Sequence, residues 1–256
     1  MLIDELCDRL LPMAGCRLAA DVRIGLGYTA VQLDDGRCGL AYTFRHGTKP
    51  GCCVLREAGS LCGRSAAELA RGAHSQDLIT AAVGLATLNA LLPLSSQTSA
   101  GDVLDLMSIG PTDVVGMVGY FGPLVAPLKK TSRTLHIFEQ RDDAAPEALP
   151  ESAAKQLLPQ CQVVIVSATA LLNRTPDGVL ADCVRARDIV ILGPSTPLLP
   201  ELFARRGVTI LSGAEVIDSQ QVLQVVSEGG GTRQFGKAIR KVSLRVETIR
   251  SDDGQS

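Results

Sequence analysis

Apolar and polar positions follow two different rhythms along the chain. At the start, Leu2, Leu6 and Leu10 recur on one helical stripe and predict an amphipathic helix over about 2–13. The stretch VRIGLGYTAVQLDDGRCGLAYTF (22–44) then alternates, is rich in β-branched residues and carries an Asp35-Gly36 turn, which predicts an antiparallel meander. Ser65 and Glu68 have the spacing of a reciprocal helix cap, and Ser75 is placed to cap a longer helix running to about Leu92. Strands followed by helices predict a small α+β domain over 1–97. The small polar residues of 95–110 read as a linker.

From residue 98 onward, short β-branched runs alternate with helical stretches. The runs lie at 114–118, 134–138, 163–167, 189–192 and 208–211. Such alternation predicts a Rossmann-like, doubly wound parallel sheet (an α/β fold), whose ligands sit outside the carboxyl ends of the strands. The clearest unit is DVVGMVGYFGPLVAPLKKTSRTLHIFEQ (113–140). Its first strand breaks at Gly119-Tyr120-Phe121-Gly122, Pro123 suits a first helical turn, and the second strand ends on Glu139. The order matches the opening of a nucleotide-binding unit, but the turn departs from the dinucleotide fingerprint. Tyr120 and Phe121 stand where backbone must approach a pyrophosphate. Gly119 and Gly122 can serve a ligand or merely a tight turn.

The other strand-end loops complete the candidate site. Pro194, Ser195 and Thr196 precede Pro197 at an expected helix start, where hydroxyls and free amides make either an anion site or a simple cap. Thr169, Asn173 and Arg174 follow a buried strand and can grip a carbonyl, hydroxyl or phosphate, with a second capped helix near Thr175 as the alternative. Exposed rings at 120 and 121 call for a cover: the N-terminal domain, a second subunit of a homo-oligomer, or a flat ligand. His74 and His136 read as structural.

Composition excludes several classes. A net charge of −2 and 3% aromatic residues without Trp leave no footprint for nucleic acid. The acidic start MLIDELCDRL is not a signal peptide, and the uncharged stretch 78–97 is interrupted by Thr, Asn, Gly, Pro and Ser, so a cytoplasmic protein without a membrane partner is expected. Eight cysteines then read as thiols, with no C-x-x-C pair among them. His46, Cys52 and Cys53, close together on one loop, are the candidate ligands for a soft divalent metal. There is no H-E-x-x-H, Walker loop or G-x-S-x-G elbow.

The segments VGYFGPLV, FEQ, SATALLNRTPDGVL, ILGPSTPLLPELF and EGGG, with GLGYTAVQLDDGRCGLAYTF and AVGLATLNAL before them, together resemble the heavy-metal chelation family of bacterial and archaeal domains of unknown function. The resemblance spans most of the chain. It implies an enolase N-terminal-like α+β domain joined to a Rossmann-like domain similar to that of methyltransferases, with a site between them. It further implies a small-molecule ligand that is pterin-, flavin- or siderophore-like, and condensation or hydrolysis as candidate reactions, but it carries no catalytic residue. Three expectations follow: an enzyme acting on a small heteroaromatic or chelator-like substrate, a non-catalytic handler of a metal or metal chelate, or an S-adenosylmethionine- or nucleotide-dependent transferase in which Glu139 accepts from a ribose.

Overall fold

The computed structural model describes residues 1–45, 54–94, 102–140 and 146–247. Helix α1 (Leu2–Leu10) leads to an antiparallel meander of β1 (Ala19–Ile24), β2 (Tyr28–Leu33) and β3 (Cys38–Tyr42), followed by α2 (Ala66–Arg71) and α3 (Leu78–Leu91). The first helix is shorter than its apolar stripe suggests. Pro12 has no amide to extend the ladder, and 11–14 tighten into a 3-10 turn. Both proposed caps also fail. Ser65 makes no side-chain cap bond, and Glu68 pairs with Arg64 at 2.8 Å. The cap of α3 is Asp77, whose carboxylate accepts from Thr80 N at 2.8 Å, while Ser75 accepts from Asp77 N. A carboxylate at that position also meets the positive end of the helix dipole.

The remaining chain forms α4 (Val103–Leu106), β4 (Val114–Val118), α5 (Gly122–Thr131), β5 (Thr134–Glu139), β6 (Leu149–Pro150), α6 (Ala154–Leu157), β7 (Val163–Ser167), α7 (Ala170–Asn173), α8 (Pro176–Ala181), β8 (Asp188–Leu192), α9 (Pro200–Ala204), β9 (Ile210–Val216), α10 (Ser219–Ser227), α11 (Thr232–Phe235) and β10 (Ile239–Arg245). These strands make one seven-stranded sheet in the order β10-β9-β8-β7-β4-β5-β6. All neighbours run parallel except β10, which lies antiparallel to β9. The α/β, Rossmann-like expectation therefore holds, with an antiparallel edge strand and a two-residue β6 added. The supposed linker contributes α4, whose Val103 is buried.

Alternation along the central strands sorts the core. Val118, Phe138, Val164, Val166, Ile189, Ile191 and Leu211 face one apolar cluster; Val115, Met117, Ile137, Val163, Ile165, Val190 and Ile210 face the other. Both faces are covered, which is why these strands read as continuous apolar runs. The first cluster also takes in Leu2, Leu6 and Leu10 of α1 and most of α3, so N-terminal helices and sheet share one core. The meander is likewise buried on both sides: Val31, Leu33 and Ala41 join that core, while Ala30 and Leu40 pack with Val222, Leu223 and Val226 of α10. Gly39 is essential to this layering. A Cβ there would lie 2.1 Å from Ala86 O and 2.3 Å from Ala90 N, so α3 rests directly on the backbone of β3.

Candidate functional site

From β4 the chain steps outward to β5 and β6, then crosses back to β7, β8 and β9. The reversal point lies between β4 and β7, where parallel sheets open a crevice beyond their carboxyl ends. Gly119 ends β4 there with φ +91°, and a Cβ on it would stand 2.7 Å from Ser167 Cβ at the end of β7. The glycine thus allows both the left-handed turn and the close approach of the two strand ends.

A cleft of about 1280 Å³ opens over this point. It is bounded by the ends of β4, β5, β7, β8 and β9, by β10, and by Tyr28, Tyr42 and Phe44 of the meander region. Those three rings form an edge-on chain, with centroids 6.0 Å apart between Tyr28 and Tyr42 and 5.2 Å between Tyr42 and Phe44. Burial pushes the Tyr28 hydroxyl well above the usual phenol range. A wall supplied by the N-terminal part is expected, but that Tyr28, Tyr42 and Phe44 form it depends on how the meander docks.

The sequence-derived residues divide sharply once placed. Gly119, Tyr120, Phe121, Glu139, Thr169, Asn173, Pro194 and Ser195 all line the cleft, whereas Gly122 and Thr196 do not. Tyr120 is 38% exposed, and Phe121 is half-buried against the second apolar cluster. Gly122 lies beneath the Tyr120 ring, 3.4 Å from Cε1 to its ideal Cβ. The Glu139 carboxylate accepts from Tyr120 N at 3.1 Å and Gln140 N at 2.8 Å, tying the two strand ends together. Asn173 Oδ1 accepts from Thr175 N at 3.3 Å and Thr175 Oγ1 at 2.8 Å, which fixes its amide just before α8. Thr169 Oγ1 shares a hydrogen bond of 2.8 Å with Ser167 Oγ.

The anion site expected at Ser195 and Thr196 loses its basis. No helix begins at Pro197; the next one opens at Pro200. The two residues are only 2% and 3% exposed. Ser195 Oγ accepts from Tyr42 N at 2.8 Å, and Thr196 Oγ1 donates within reach of Gly193 O at 2.7 Å and Ser212 O at 3.0 Å. These hydroxyls bind the β8 loop to the meander and to β9. Their backbone demands outweigh any cap.

The remaining histidines lie outside the cleft lining: His74 pairs with Asp4 at 3.0 Å, and His136 sits near the Phe138 ring. His46, Cys52 and Cys53 fall outside the described residues. Among the described residues, no three His, Cys, Asp or Glu side chains are grouped to hold a metal ion, and the cleft lining contains neither Cys nor His. Burial pushes the thiols of Cys7 and Cys161 up to about 11 and those of Cys38 and Cys183 to about 12, and none of the four lines the cleft. The described part of the cleft does not fit a resident soft metal. No described helix is long and apolar enough to cross a membrane.

Comparison with known proteins agrees with this architecture. An uncharacterized protein of Methanocaldococcus jannaschii is 28% identical over 181 residues, covering 68% of this chain and 70% of the relative. A solved structure from Pyrococcus horikoshii, of unknown function and from the DUF364 family, superposes with a TM-score of 0.85 at 24% identity over 96% of this chain and all of its own. A second, from Desulfitobacterium hafniense, gives 0.75 at 24% identity over 95% of this chain and 98% of that one. Two family models carrying the same description match residues 7–92 and 102–245, and on that match the chain belongs to the family described as "Putative heavy-metal chelation".

Proposed function

We propose that the protein binds a small, planar, polar organic molecule of pterin, flavin or siderophore type in this cleft, as its part in the chelate chemistry of its family. The observation that carries the reading is the ring of Tyr120, 38% exposed at the mouth of a cleft of about 1280 Å³. An exposed ring beside a concave, mostly apolar wall is a surface for stacking. Around it stand groups able to bond a ligand's edge. Asn173 presents its Nδ2, which has no partner among the described residues, because Oδ1 is held by Thr175. The Ser167–Thr169 hydroxyl pair lines the same wall.

Stacking contributes on the order of 1 kcal/mol, so Tyr120→Ala weakens binding roughly five-fold. Calorimetry with pterin, riboflavin and adenosine measures this, with circular dichroism to confirm the fold. Equal affinities for wild type and variant remove the ring from the site. A change in sedimentation mass instead assigns the ring to a contact between subunits.

A further inference from the structure

Among the described residues, the acidic ones lining the cleft are Asp102, Glu139 and Glu151, and the one basic residue is Lys241. The acids are engaged with the protein's own donors: Asp102 accepts from Leu104 N, Glu139 from two backbone amides, and Glu151 from Gln140 Nε2. The Lys241 ammonium has no hydrogen bond or ion pair among the described residues, while its backbone pairs with Ala214 of β9. Its nearest acidic neighbour in register, Glu215, is buried and committed to Arg240 on the alternate phase of β10. Lys241 shares the cleft-lining phase with Ile239 and Ser243, and Ser243 is fixed by a hydroxyl bond of 3.0 Å to Ser212. The cation is therefore carried by a firmly held strand.

Distance adds the second constraint. In the sheet order, β10 and β5 are five strand spacings apart, and β10 and β4 four. At about 4.8 Å per spacing, Lys241 lies roughly 24 Å from the β5 strand that bears Glu139 and roughly 19 Å from the end of β4 that bears Tyr120. The first distance exceeds a Debye length of about 8 Å at physiological salt, so Glu139 does not neutralise the lysine. The second falls to roughly 7 Å once the lysine and tyrosine side chains each reach inward by about 6 Å, so one ligand can touch both ends.

We propose that the ligand is two-ended: a planar ring system against Tyr120 that carries, toward β10, an anionic group, carboxylate or phosphate, that pairs with Lys241. Lys241 is then a specificity-determining residue of the site. This inference rests on the stacking reading for its ring end and on the lysine alone for its anionic end.

The test compares FMN with riboflavin, which differ in a terminal phosphate, and adds citrate as an anion with no ring. Dissociation constants are measured by calorimetry at low and high salt for wild type, Lys241→Gln, Lys241→Arg and Tyr120→Ala. Wild type is expected to prefer FMN over riboflavin about ten-fold at low salt. Lys241→Gln erases that preference without changing riboflavin affinity, Lys241→Arg restores it, and Tyr120→Ala weakens both flavins alike. Lysine-dependent binding of citrate with no flavin binding supports the anionic end and refutes the stacking reading. An FMN preference that survives in Lys241→Gln, equal losses of FMN and riboflavin in that variant, or no lysine-dependent binding of any of the three probes overturns the proposal.

Discussion

Gly119 concentrates the local requirements of the site in one residue. Its φ of +91° lies in the left-handed region, and a methyl group would press to 2.7 Å from Ser167 Cβ. Neither strand end can retreat easily, because each belongs to a buried central strand. Left-handed backbone costs a residue with a Cβ about 1–2 kcal/mol, and overpacking adds about 1–3 kcal/mol. Gly119→Ala is therefore expected to lose roughly 3 kcal/mol in urea unfolding; a loss below about 0.5 kcal/mol would show that the strand ends are free to part. Nothing comparable holds at Gly122, which is exposed and only abuts the Tyr120 ring. The sequence presents the two glycines as a symmetric pair, and only the backbone geometry separates them.

Elements, more than single residues, decide how much of this was legible beforehand. Strands β4, β5, β7, β8 and β9 are readable because both faces are buried, leaving β-branched runs that stand out from any helix. Strand β10, IRKVSLR, is hidden by its edge position, where the adjacent charges Arg240 and Lys241 and the buried pair Val242-Ser243 break any alternation. Missing it also meant missing Lys241. The residues at the ends of the parallel strands were predictable from topology alone, since that is where such sheets bind ligands. The error at Ser195 and Thr196 has a different origin: a proline signal for a helix start recurs at Pro200, and the hydroxyls upstream serve tertiary bonds. The aromatic wall of Tyr28, Tyr42 and Phe44 depends on docking of the meander, which no local pattern encodes.

The meander has its own acid-sensitive tie. Asp35, at the β2–β3 turn, receives Arg37 Nε at 2.9 Å and Arg17 Nε at 2.5 Å, and Arg37 also donates to Leu91 O at the end of α3. The Arg37 hydrogen bond, with help from Arg17, holds the Asp35 carboxyl down at about 2, from an ordinary value of 3.8. A carboxylate with a depressed folded pKa contributes stability that is present above its unfolded pKa and lost as pH falls through the folded one. The step therefore lies between about pH 4 and pH 2. Protection of β2, β3 and the end of α3 from hydrogen exchange, measured relative to the intrinsic amide rates at each pH, is expected to fall across that window in wild type. In Asp35→Asn the protection is already reduced at pH 5, and a wild-type profile in that variant would dissociate the turn from the stability of the meander.

At the scale of the molecule, the question is whether the N-terminal helices are appended to the sheet or built into it. Leu2, Leu6 and Leu10 share a continuous core with Leu171, Leu172, Phe203 and the strands behind them. Over that apolar contact lies an ionic clasp. Arg206 reaches Glu5 at 2.6 Å and Asp177 at 3.0 Å, while Asp177 also accepts from Leu2 N at 3.0 Å. The Arg206 side chain is 17% exposed, more sheltered than the side chain of either Glu5 or Asp177. Its hydrogen bond to Glu5 lowers that carboxyl below the usual range and keeps the clasp charged at neutral pH. Hydrogen bonds to charged groups contribute about 1.5–3 kcal/mol each, less where water competes. Arg206→Met keeps the apolar stem and removes both bonds, so a loss of about 2 kcal/mol is expected. The form of the loss is the sharper test. If helices and sheet are one cooperative body, the variant unfolds in a single transition with an unchanged dependence on urea, shifted to lower concentration. A separate early transition, with exchange confined to α1, would show that the clasp fastens an independent element that can detach without unfolding the sheet beneath it.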